Sequence, residues 1–264
     1  MDNLFDLTNK TAIITGGAGL LAAEHAKALS MYGANVILAD INVEKCETAS
    51  QQLQKENYKV TAMHCDITSQ ESWQQLLQNV LEQFGVADIL INNAAYTNQS
   101  KTKNFDASFE NFSLDDWNNI INVNLTGTFL GCQIIGAQMK KQGKGSIINM
   151  GSLYAVVSPH HRMYPGTGIT QPVAYTVSKH GIIGLTKYLA TLWAADGVRV
   201  NALSPGGIYN NHADEFVQRF SNLNPAARMS KVTELQGAVV LLASDASSHV
   251  IGHNLIVDGG WTVW

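Results

Sequence analysis

The sequence contains few cysteines, and they follow no metal or disulfide pattern. Of 264 residues only three are cysteine, and Cys46, Cys65 and Cys132 are scattered along the chain. Three cysteines without a Cys-x-x-Cys pair do not form a disulfide framework, so we expect small buried side chains in a reducing compartment. Adjacent histidines on a loop, as at His160 and His161, are a poor chelating pattern, so we expect no metal.

Long apolar runs and targeting signals are also missing. No uninterrupted apolar run reaches the roughly 18 residues of a membrane span. Residues 1–6 lack the basic and apolar regions of a signal peptide. We therefore expect a cytoplasmic protein with no membrane partner.

Charge of either sign is scarce. Charged residues make up 14% of the chain, and the formal net charge is −4. A slightly acidic chain does not attract a phosphate backbone, so nucleic acid is not an expected partner. The length and the 45% apolar content suit one α/β domain that buries its core without disulfides or metals.

Short apolar segments alternate with helical patterns almost to the end of the chain. We predict seven strands, at residues 11–15, 35–40, 60–64, 88–92, 146–150, 198–203 and 254–257. We predict helices at 20–32, 43–57, 116–141 and 173–195, and one more after a capping box at 68–71. Buried strands separated by helices indicate a parallel, doubly wound sheet with helices on both faces, so we predict a single domain over 1–264.

Two polar segments interrupt this alternation. Residues 96–112 and 153–174 follow the carboxyl ends of predicted strands, where open α/β sheets bind ligands. Their hydrogen-bonding side chains suit a small polar substrate, such as a sugar or sugar derivative, better than a steroid. Ordinary solvated loop residues are the alternative. As substrate contacts we predict Tyr154, His161 and Arg162; Asn98, Lys101, Lys103, His160 and Tyr164 are the other polar candidates.

A glycine-rich turn lies between the first predicted strand and the first helix. Residues 15–22 read Thr-Gly-Gly-Ala-Gly-Leu-Leu-Ala, and from Gly17 they fit Gly-x-Gly-x-x-Ala, a form of the dinucleotide fingerprint. Glycine lets backbone N–H groups approach a pyrophosphate at the helix N-terminus. Asp40 ends the second strand, where a carboxylate accepts hydrogen bonds from ribose hydroxyls and repels a 2′-phosphate. We therefore predict NAD rather than NADP, although a glycine turn alone would equally fit a structural loop.

A tyrosine and a lysine lie one helical turn apart in the predicted helix 173–195. Tyr175 and Lys179 are four residues apart and so share one helix face. An ammonium beside a phenol favours the phenolate, so we expect Lys179 to lower the pKa of Tyr175 toward working pH. Such a tyrosine can exchange a proton with a carbinol oxygen. Since this spacing also arises by chance, its meaning depends on the other motifs.

Taken together, the motifs resemble the short-chain dehydrogenase/reductase superfamily, in its short branch. In chain order they are Thr15-Gly-Gly-Ala-Gly19, Asp40, Cys65-Asp66, Asn92-Asn-Ala-Ala95, Asn122-Val-Asn-Leu125, Ser152, Tyr175-x-x-x-Lys179, Ser204-Pro-Gly206 and Val257-Asp-Gly-Gly260. The resemblance spans nearly the whole chain. It implies a Rossmann-type fold, a nicotinamide cofactor, and pairing of the two long helices between subunits in a homodimer or homotetramer.

The resemblance also implies a role for each matching residue. Tyr175 would be the general acid/base, and Lys179 would lower its pKa and hold the nicotinamide ribose. Ser152 would hydrogen-bond the substrate oxygen, and Asn124 would anchor a water in the proton path. Asp66 would contact the adenine. The cofactor-binding set is Gly16, Gly19, Leu20, Leu21, Asp40, Asp66, Ile67, Asn93, Ala94, Tyr175, Lys179, Pro205, Gly206 and Ile208.

Some features depart from the family pattern and leave other functions open. Leu20 and Ala22 stand where the short branch usually has glycine, and the loop resembles that of the extended branch, which includes sugar epimerases and dehydratases. The interval from Ser152 to Tyr175, 175 − 152 = 23 residues, is longer than usual and must bulge over the site. The leading hypothesis is an NAD-dependent oxidoreductase acting on a secondary alcohol or ketone. The alternatives are an epimerase or dehydratase that recycles bound NAD, and a non-catalytic dinucleotide-binding protein.

Overall fold

Seven parallel strands form one continuous sheet at the centre of the protein. The computed structural model describes residues 3–96, 107–167 and 169–264. The strand order is β3-β2-β1-β4-β5-β6-β7, and every neighbouring pair is parallel. The strands are β1 Thr11–Thr15, β2 Asn35–Asp40, β3 Val60–His64, β4 Ile89–Asn92, β5 Gly145–Met150, β6 Val198–Pro205 and β7 Asn254–Val257.

Helices cover both faces of this sheet. Because side chains alternate along a strand, Ile13 and Ile14 of β1 lie in two different apolar clusters. One cluster includes side chains of the first, second and last helices, and the other includes side chains of the third, fifth and sixth. The helices are α1 Ala22–Met31, α2 Val43–Lys55, α3 Gln70–Phe84, α4 Leu114–Ile121, α5 Gly127–Gln142, α6 Val173–Trp193, α7 Asp214–Leu223 and α8 Gln236–Ala243.

The predicted fold class is confirmed: the protein is a single-domain, doubly wound Rossmann-type α/β structure. The seven predicted strands are all present, and β1, β2, β3 and β7 begin and end at the predicted residues. Two helices, α7 and α8, had not been predicted. The predicted helix 116–141 runs over Leu114–Gln142 and contains a π-helical turn at Asn122–Thr126.

The predicted cap of α3 was wrong by one residue. The N-cap is Ser69, whose hydroxyl accepts a hydrogen bond from the Ser72 amide at 3.2 Å. Thr68 instead donates its hydroxyl to Asp66 Oδ1 at 2.7 Å. Serine and threonine are both good N-cap residues. Ser69 caps the helix here because the Thr68 hydroxyl is already hydrogen-bonded to the Asp66 carboxylate.

The helix Leu114–Gln142 is long and apolar enough to cross a membrane by length and composition alone. Half of its most apolar stretch is buried, and α5 packs against α3 and α6. Core helices of soluble proteins meet the same criterion, so this feature is weak evidence for a membrane span. The absence of a membrane partner therefore stays a prediction.

The sheet order places a ligand crevice between β1 and β4. The chain runs outward from β1 to β2 and β3 on one side and from β4 onward on the other, so the direction of winding reverses at this point. Open α/β sheets bind ligands outside the carboxyl ends of the strands at such a switch point. A third apolar cluster forms from segments that follow the carboxyl ends of β5, β6 and β7: Leu153, Tyr154, Met163, Tyr164, Phe216, Phe220, Met229 and Trp261.

Candidate active site

The glycine loop after β1 passes so close to neighbouring backbone that it excludes side chains. Gly16 adopts a φ of +67°, and a Cβ there would lie 2.8 Å from Ala94 Cα. A Cβ on Gly17 would lie 2.6 Å from Cys46 Sγ and 3.0 Å from the Ala39 amide nitrogen. Glycine is therefore required for the loop to pack between the ends of β2 and β4.

The start of α1 is suited to an anion. Leu21 at its N-cap position makes no side-chain cap, so no side-chain oxygen takes the first amide hydrogens of the helix. Gly19 follows the tight turn, in which its own N–H donates to Gly16 O at 2.8 Å. Free amides at the positive end of a helix dipole match the needs of a pyrophosphate. The predicted Gly16, Gly19, Leu20 and Leu21 all lie in this turn between β1 and α1.

Asp40 joins the glycine loop to the end of β2. Its Oδ2 accepts a hydrogen bond from the Ala18 amide at 3.0 Å, and its Oδ1 accepts one from the Asn42 amide at 2.9 Å. Each carboxylate oxygen keeps a further lone pair, which a ribose hydroxyl can use. The next residue, Ile41, is apolar and 64% exposed, so it offers no cation to a 2′-phosphate. The residues present therefore fit the adenosine ribose of a dinucleotide.

The remaining predicted cofactor residues lie at the ends of other strands. Asn93 and Ala94 are fixed to β1, since both backbone amides donate to Thr15 Oγ1, at 3.0 and 3.1 Å. Asp66 follows β3, and its Oδ1 accepts hydrogen bonds from the Thr68 amide and from the Thr68 hydroxyl. Ile67 comes next and packs against Gly127.

Pro205 is the last residue of β6, and Gly206 follows it. The Gly206 amide donates to Val257 O at 2.9 Å, and a Cβ there would lie 2.7 Å from Asp258 Cα. Ile208 then pairs with Ser230 in an isolated bridge. These contacts hold the segment after β6 near the carboxyl end of β7.

Ser152, Tyr175 and Lys179 meet at the carboxyl end of β5. Ser152 lies two residues beyond β5, is buried, and lies close enough to Tyr175 to lower the pKa of its phenol. The Lys179 ammonium lies 5.6 Å from the centre of the Tyr175 ring and donates to Met150 O, the last carbonyl of β5, at 2.7 Å. Tyr175 is partly exposed, whereas Lys179 is only 3% exposed.

The pKa of Tyr175 differs in direction from the sequence-based expectation. Burial raises the pKa of Tyr175, and the hydrogen bond with Ser152 opposes this effect. Burial lowers the pKa of Lys179 to about 8. Lys179 faces the ring and the Met150 carbonyl, and no hydrogen bond to the phenol oxygen accompanies these contacts. The phenol is therefore protonated at neutral pH.

Asn124 links this group to the polar loop after β4. It is fully buried in the π-helical turn, where its Oδ1 accepts from the Tyr96 amide at 2.6 Å. Its Nδ2 donates to Ser178 Oγ at 3.2 Å, and Ser178 Oγ donates to Tyr175 O at 2.7 Å. The Asn124 carbonyl accepts from Thr128 Oγ1 at 2.8 Å. The structure thus assigns its side chain a positioning contact with the tyrosine helix, while the predicted water contact stays a prediction.

The two substrate loops are covered unequally. Residues 97–106, with Asn98, Lys101 and Lys103, lie outside the described residues. In the second loop His161 and Arg162 are exposed, and their substrate role stays a prediction. Tyr154 and Tyr164 are buried, and their hydroxyl groups form a short hydrogen bond with each other.

Arg219, Phe216 and Trp261 lie beside the site, although no sequence motif marks them as site residues. Arg219 of α7 donates to the carbonyls of Met163 and Pro165, and Phe216 packs against Tyr164. The signal for α7 was its acidic first turn, Asp214 and Glu215, followed by Phe216 and Phe220 at a spacing of four residues. Among the described residues no group of three His, Cys, Asp or Glu is placed to hold a metal, and the absence of a metal stays a prediction.

The three cysteines are buried and not bonded to each other. Burial raises the pKa of each thiol, Cys46, Cys65 and Cys132, to about 12. A buried thiol with a raised pKa carries little thiolate, so none of them is suited to nucleophilic chemistry.

Comparison with known proteins gives matches over nearly the whole chain. A family model described as enoyl-(acyl carrier protein) reductase matches residues 17–262. D-threitol dehydrogenase of Mycolicibacterium smegmatis is 34% identical, over 98% of this chain and 95% of that protein. The 2-dehydro-3-deoxy-D-gluconate 5-dehydrogenase of Bacillus subtilis is 34% identical, over 99% and 98%. The mitochondrial borneol dehydrogenase of Lavandula x intermedia is 33% identical, over 97% and 92%.

Solved structures match equally well. A gluconate 5-dehydrogenase from Burkholderia cenocepacia, in complex with NADP and tartrate, has a TM-score of 0.86 and 29% identity, over 99% of this chain and 98% of that one. A short-chain dehydrogenase from Leptospira borgpetersenii with bound NAD+ has a TM-score of 0.86 and 33% identity, over 99% and 96%. These proteins share the fold of this chain, and one contains NADP and the other NAD+.

Proposed function

We propose that this chain, which belongs to the short-chain dehydrogenase/reductase superfamily, is an NAD-dependent dehydrogenase. Its substrate is a small polar secondary alcohol or the corresponding ketone, in a sugar, polyol or sugar derivative. The enzyme is cytoplasmic and works as a homodimer or homotetramer.

The observation that carries this proposal is the meeting of Ser152, Tyr175 and Lys179 at the carboxyl end of β5, with the Lys179 ammonium facing the tyrosine ring. When bound, NAD supplies the acceptor for the hydride of the alcohol. Ser152 orients the reacting oxygen, and Tyr175 removes its proton during oxidation or returns it during ketone reduction. The buried positive charge of Lys179 stabilises the tyrosinate that oxidation requires, since an opposite charge nearby favours the ionised form.

A polar substrate is favoured by the relatives and by the second substrate loop, residues 153–174. Two of the similar proteins are named for polar substrates, threitol and a dehydrodeoxygluconate. The borneol dehydrogenase, which is named for an apolar alcohol, is about as similar to this chain, so sequence similarity alone does not distinguish the two substrate classes. The distinguishing feature is therefore local: the second substrate loop presents the hydroxyl groups of Tyr154 and Tyr164 in a buried position beside Tyr175.

The choice of NAD rests on Asp40 and Ile41. A carboxylate at the end of β2 accepts hydrogen bonds from ribose hydroxyls and repels a 2′-phosphate. The exposed Ile41 beside it supplies no cation that could bind the phosphate. Leu20 and Ala22, which stand where the family usually has glycine, do not oppose the binding of NAD. Leu20 is 46% exposed, and Ala22 is fully buried in the core.

Replacement of Tyr175 by phenylalanine tests the proposal. We expect kcat to fall at least about 100-fold, because general acid/base catalysis contributes that much or more, while the Kd for NAD stays within about twofold. NADH absorbance with a panel of polyols, sugar acids and hydrophobic alcohols gives the rate, and ligand fluorescence gives the Kd.

The matched control is Tyr32→Phe, at an exposed tyrosine directly after α1, which should behave as the wild type. Full turnover by the Tyr175→Phe variant would exclude the mechanism. Turnover by the wild type of hydrophobic alcohols alone would exclude the polar substrate.

A further inference from the structure

The insert between Ser152 and Tyr175, formed by the 22 residues 153–174, brings two phenols against the catalytic group. Tyr154 is 6% exposed and Tyr164 is 9% exposed, and their hydroxyl groups are hydrogen-bonded to each other. The Tyr154 amide donates to Ser152 Oγ at 3.1 Å. Tyr175 packs against the apolar cluster that contains both rings. The phenol pair is therefore a direct neighbour of the catalytic serine and tyrosine.

The backbone around Tyr164 is held rigidly. Arg219 Nη1 donates to the carbonyls on either side of this residue, Met163 O at 3.1 Å and Pro165 O at 2.6 Å. The carbonyl of Tyr164 itself accepts from the Thr167 amide at 3.0 Å and from Thr167 Oγ1 at 2.7 Å. Three successive carbonyls are thus satisfied by named donors. Such support is typical of a side chain whose position matters to a ligand.

The pair retains hydrogen-bonding capacity. Two phenols carry two hydroxyl hydrogens, and only one of these can lie between the two oxygens. The second hydrogen has no acceptor among the described residues, since the contact between the two phenols is the only hydrogen bond of either hydroxyl. Burial raises the pKa of Tyr154 to about 12 and raises that of Tyr164 further, so both remain donors at neutral pH. A buried O–H without an acceptor is costly unless a ligand supplies one.

We infer that Tyr154 and Tyr164 form a recognition pair that donates a hydrogen bond to a second oxygen of the substrate, on a carbon near the one that reacts. The preferred substrate class is therefore a vicinal diol or hydroxyketone, as in a polyol chain, rather than an isolated secondary alcohol. This inference rests on the proposed dehydrogenase function. Arg219 acts as a positioning residue, because it holds the backbone on both sides of Tyr164 and does not itself contact the reacting group.

Matched substrates and hydroxyl-deletion variants test the pair. Butane-2,3-diol and butan-2-ol differ by one hydroxyl group, and kcat/KM is measured for both with the wild type, Tyr164→Phe, Tyr154→Phe and the double variant. We expect the wild type to prefer the diol. Each single variant should lower kcat/KM for the diol about tenfold or more, the size of one lost buried hydrogen bond, and leave butan-2-ol within about twofold. Because the two hydroxyls act as a unit, the double variant should lose less than the product of the single losses.

Four outcomes would overturn this inference. Equal losses on both substrates would show that the pair only supports the insert, and a lower unfolding temperature with an unchanged diol preference would show the same. An unchanged rate on the diol would show that the pair does not face the substrate. Absence of turnover of any secondary alcohol by the wild type, across the wider panel, would instead remove the proposed function and this inference with it.

Discussion

At the scale of single residues, Asp40 does two things at once. Its carboxylate fixes the glycine loop through Ala18 and holds the start of the next helix segment through Asn42. In the proposed function the same charge selects against a 2′-phosphate. The sequence position of Asp40 predicted the second role, but the first became visible only in the structure because it joins residues 22 positions apart.

Removal of this charge should shift the enzyme toward NADP. We expect Asp40→Asn to lower the ratio of kcat/KM for NAD to that for NADP about tenfold or more, since hydrogen bonds to a charged group contribute roughly 1.5–3 kcal/mol. Initial rates with both cofactors and the same substrate give the ratio. Glu47→Gln removes one charge from the exposed face of α2 and is the control. A ratio that is the same in Asp40→Asn and in this control would reject the role of Asp40.

His25 makes the fold sensitive to acid. Its side chain is fully buried in α1, and neither ring nitrogen has a hydrogen-bond partner among the described residues. Burial lowers the pKa of His25 from 6.5 to about 4. Above pH 6.5 the ring is neutral in both folded and unfolded chains, so its protonation does not change the free energy of unfolding. Between pH 6.5 and 4 only the unfolded chain binds the proton, so stability falls over this window.

The variant His25→Leu should therefore resist acid. We expect the wild type to lose on the order of 3 kcal/mol more unfolding free energy than the variant between pH 7 and pH 4. Urea unfolding at a series of pH values measures this difference, and His249→Leu, at an exposed histidine, should follow the wild type. Parallel stability curves for wild type and His25→Leu would contradict the assignment.

Tyr175 shows what residue spacing can and cannot predict. The interval of four residues placed Tyr175 and Lys179 on one helix face, and the structure brings Ser152 to the same point. The direction of the pKa shift did not follow from the spacing. It depends on how deeply the helix end is buried and on where the ammonium donates, and both are set by long-range contacts such as that with Met150.

At the scale of elements, the strands were the most predictable part of the fold. A parallel strand is buried on both faces and so appears as a short, continuous apolar run, which makes its limits visible in the sequence. The helix α8 has the same appearance, because Gly237 to Ala243 is an unbroken run of small and apolar residues. Without amphipathic periodicity, a run of this length fits a strand or a buried helix equally well.

The insert and α7 depend on contacts distant in sequence. Arg219 reaches the carbonyls of residues more than fifty positions earlier, and the rings of Phe220 and Trp261 stack at 4.4 Å. The Ser152–Tyr175 interval predicted a bulge over the site, and the structure shows that this bulge is packed rather than open. No local pattern predicts such packing, because it joins segments that follow three different strands.

At the scale of the whole molecule, α6 presents an apolar stripe to solvent. Val177, Tyr188 and Leu192 are 42%, 67% and 51% exposed, and Gly184 lies between them on the same helix face. Phe129 of α5 is 44% exposed. Together with the low charged fraction of 14%, these exposed apolar residues favour the expected pairing of long helices between two copies.

A charge in this stripe should therefore separate the subunits. We expect light scattering of the wild type to give at least twice the single-chain mass of 28.6 kDa, and Leu192→Glu to shift it toward one chain, because an unpaired carboxylate is costly to bury. The control Met31→Glu places the same charge on an apolar residue of α1 that is 66% exposed and should leave the mass unchanged. A wild-type mass of one chain would reject the oligomer. Dissociation by Met31→Glu but not by Leu192→Glu would instead place the interface on the face of α1.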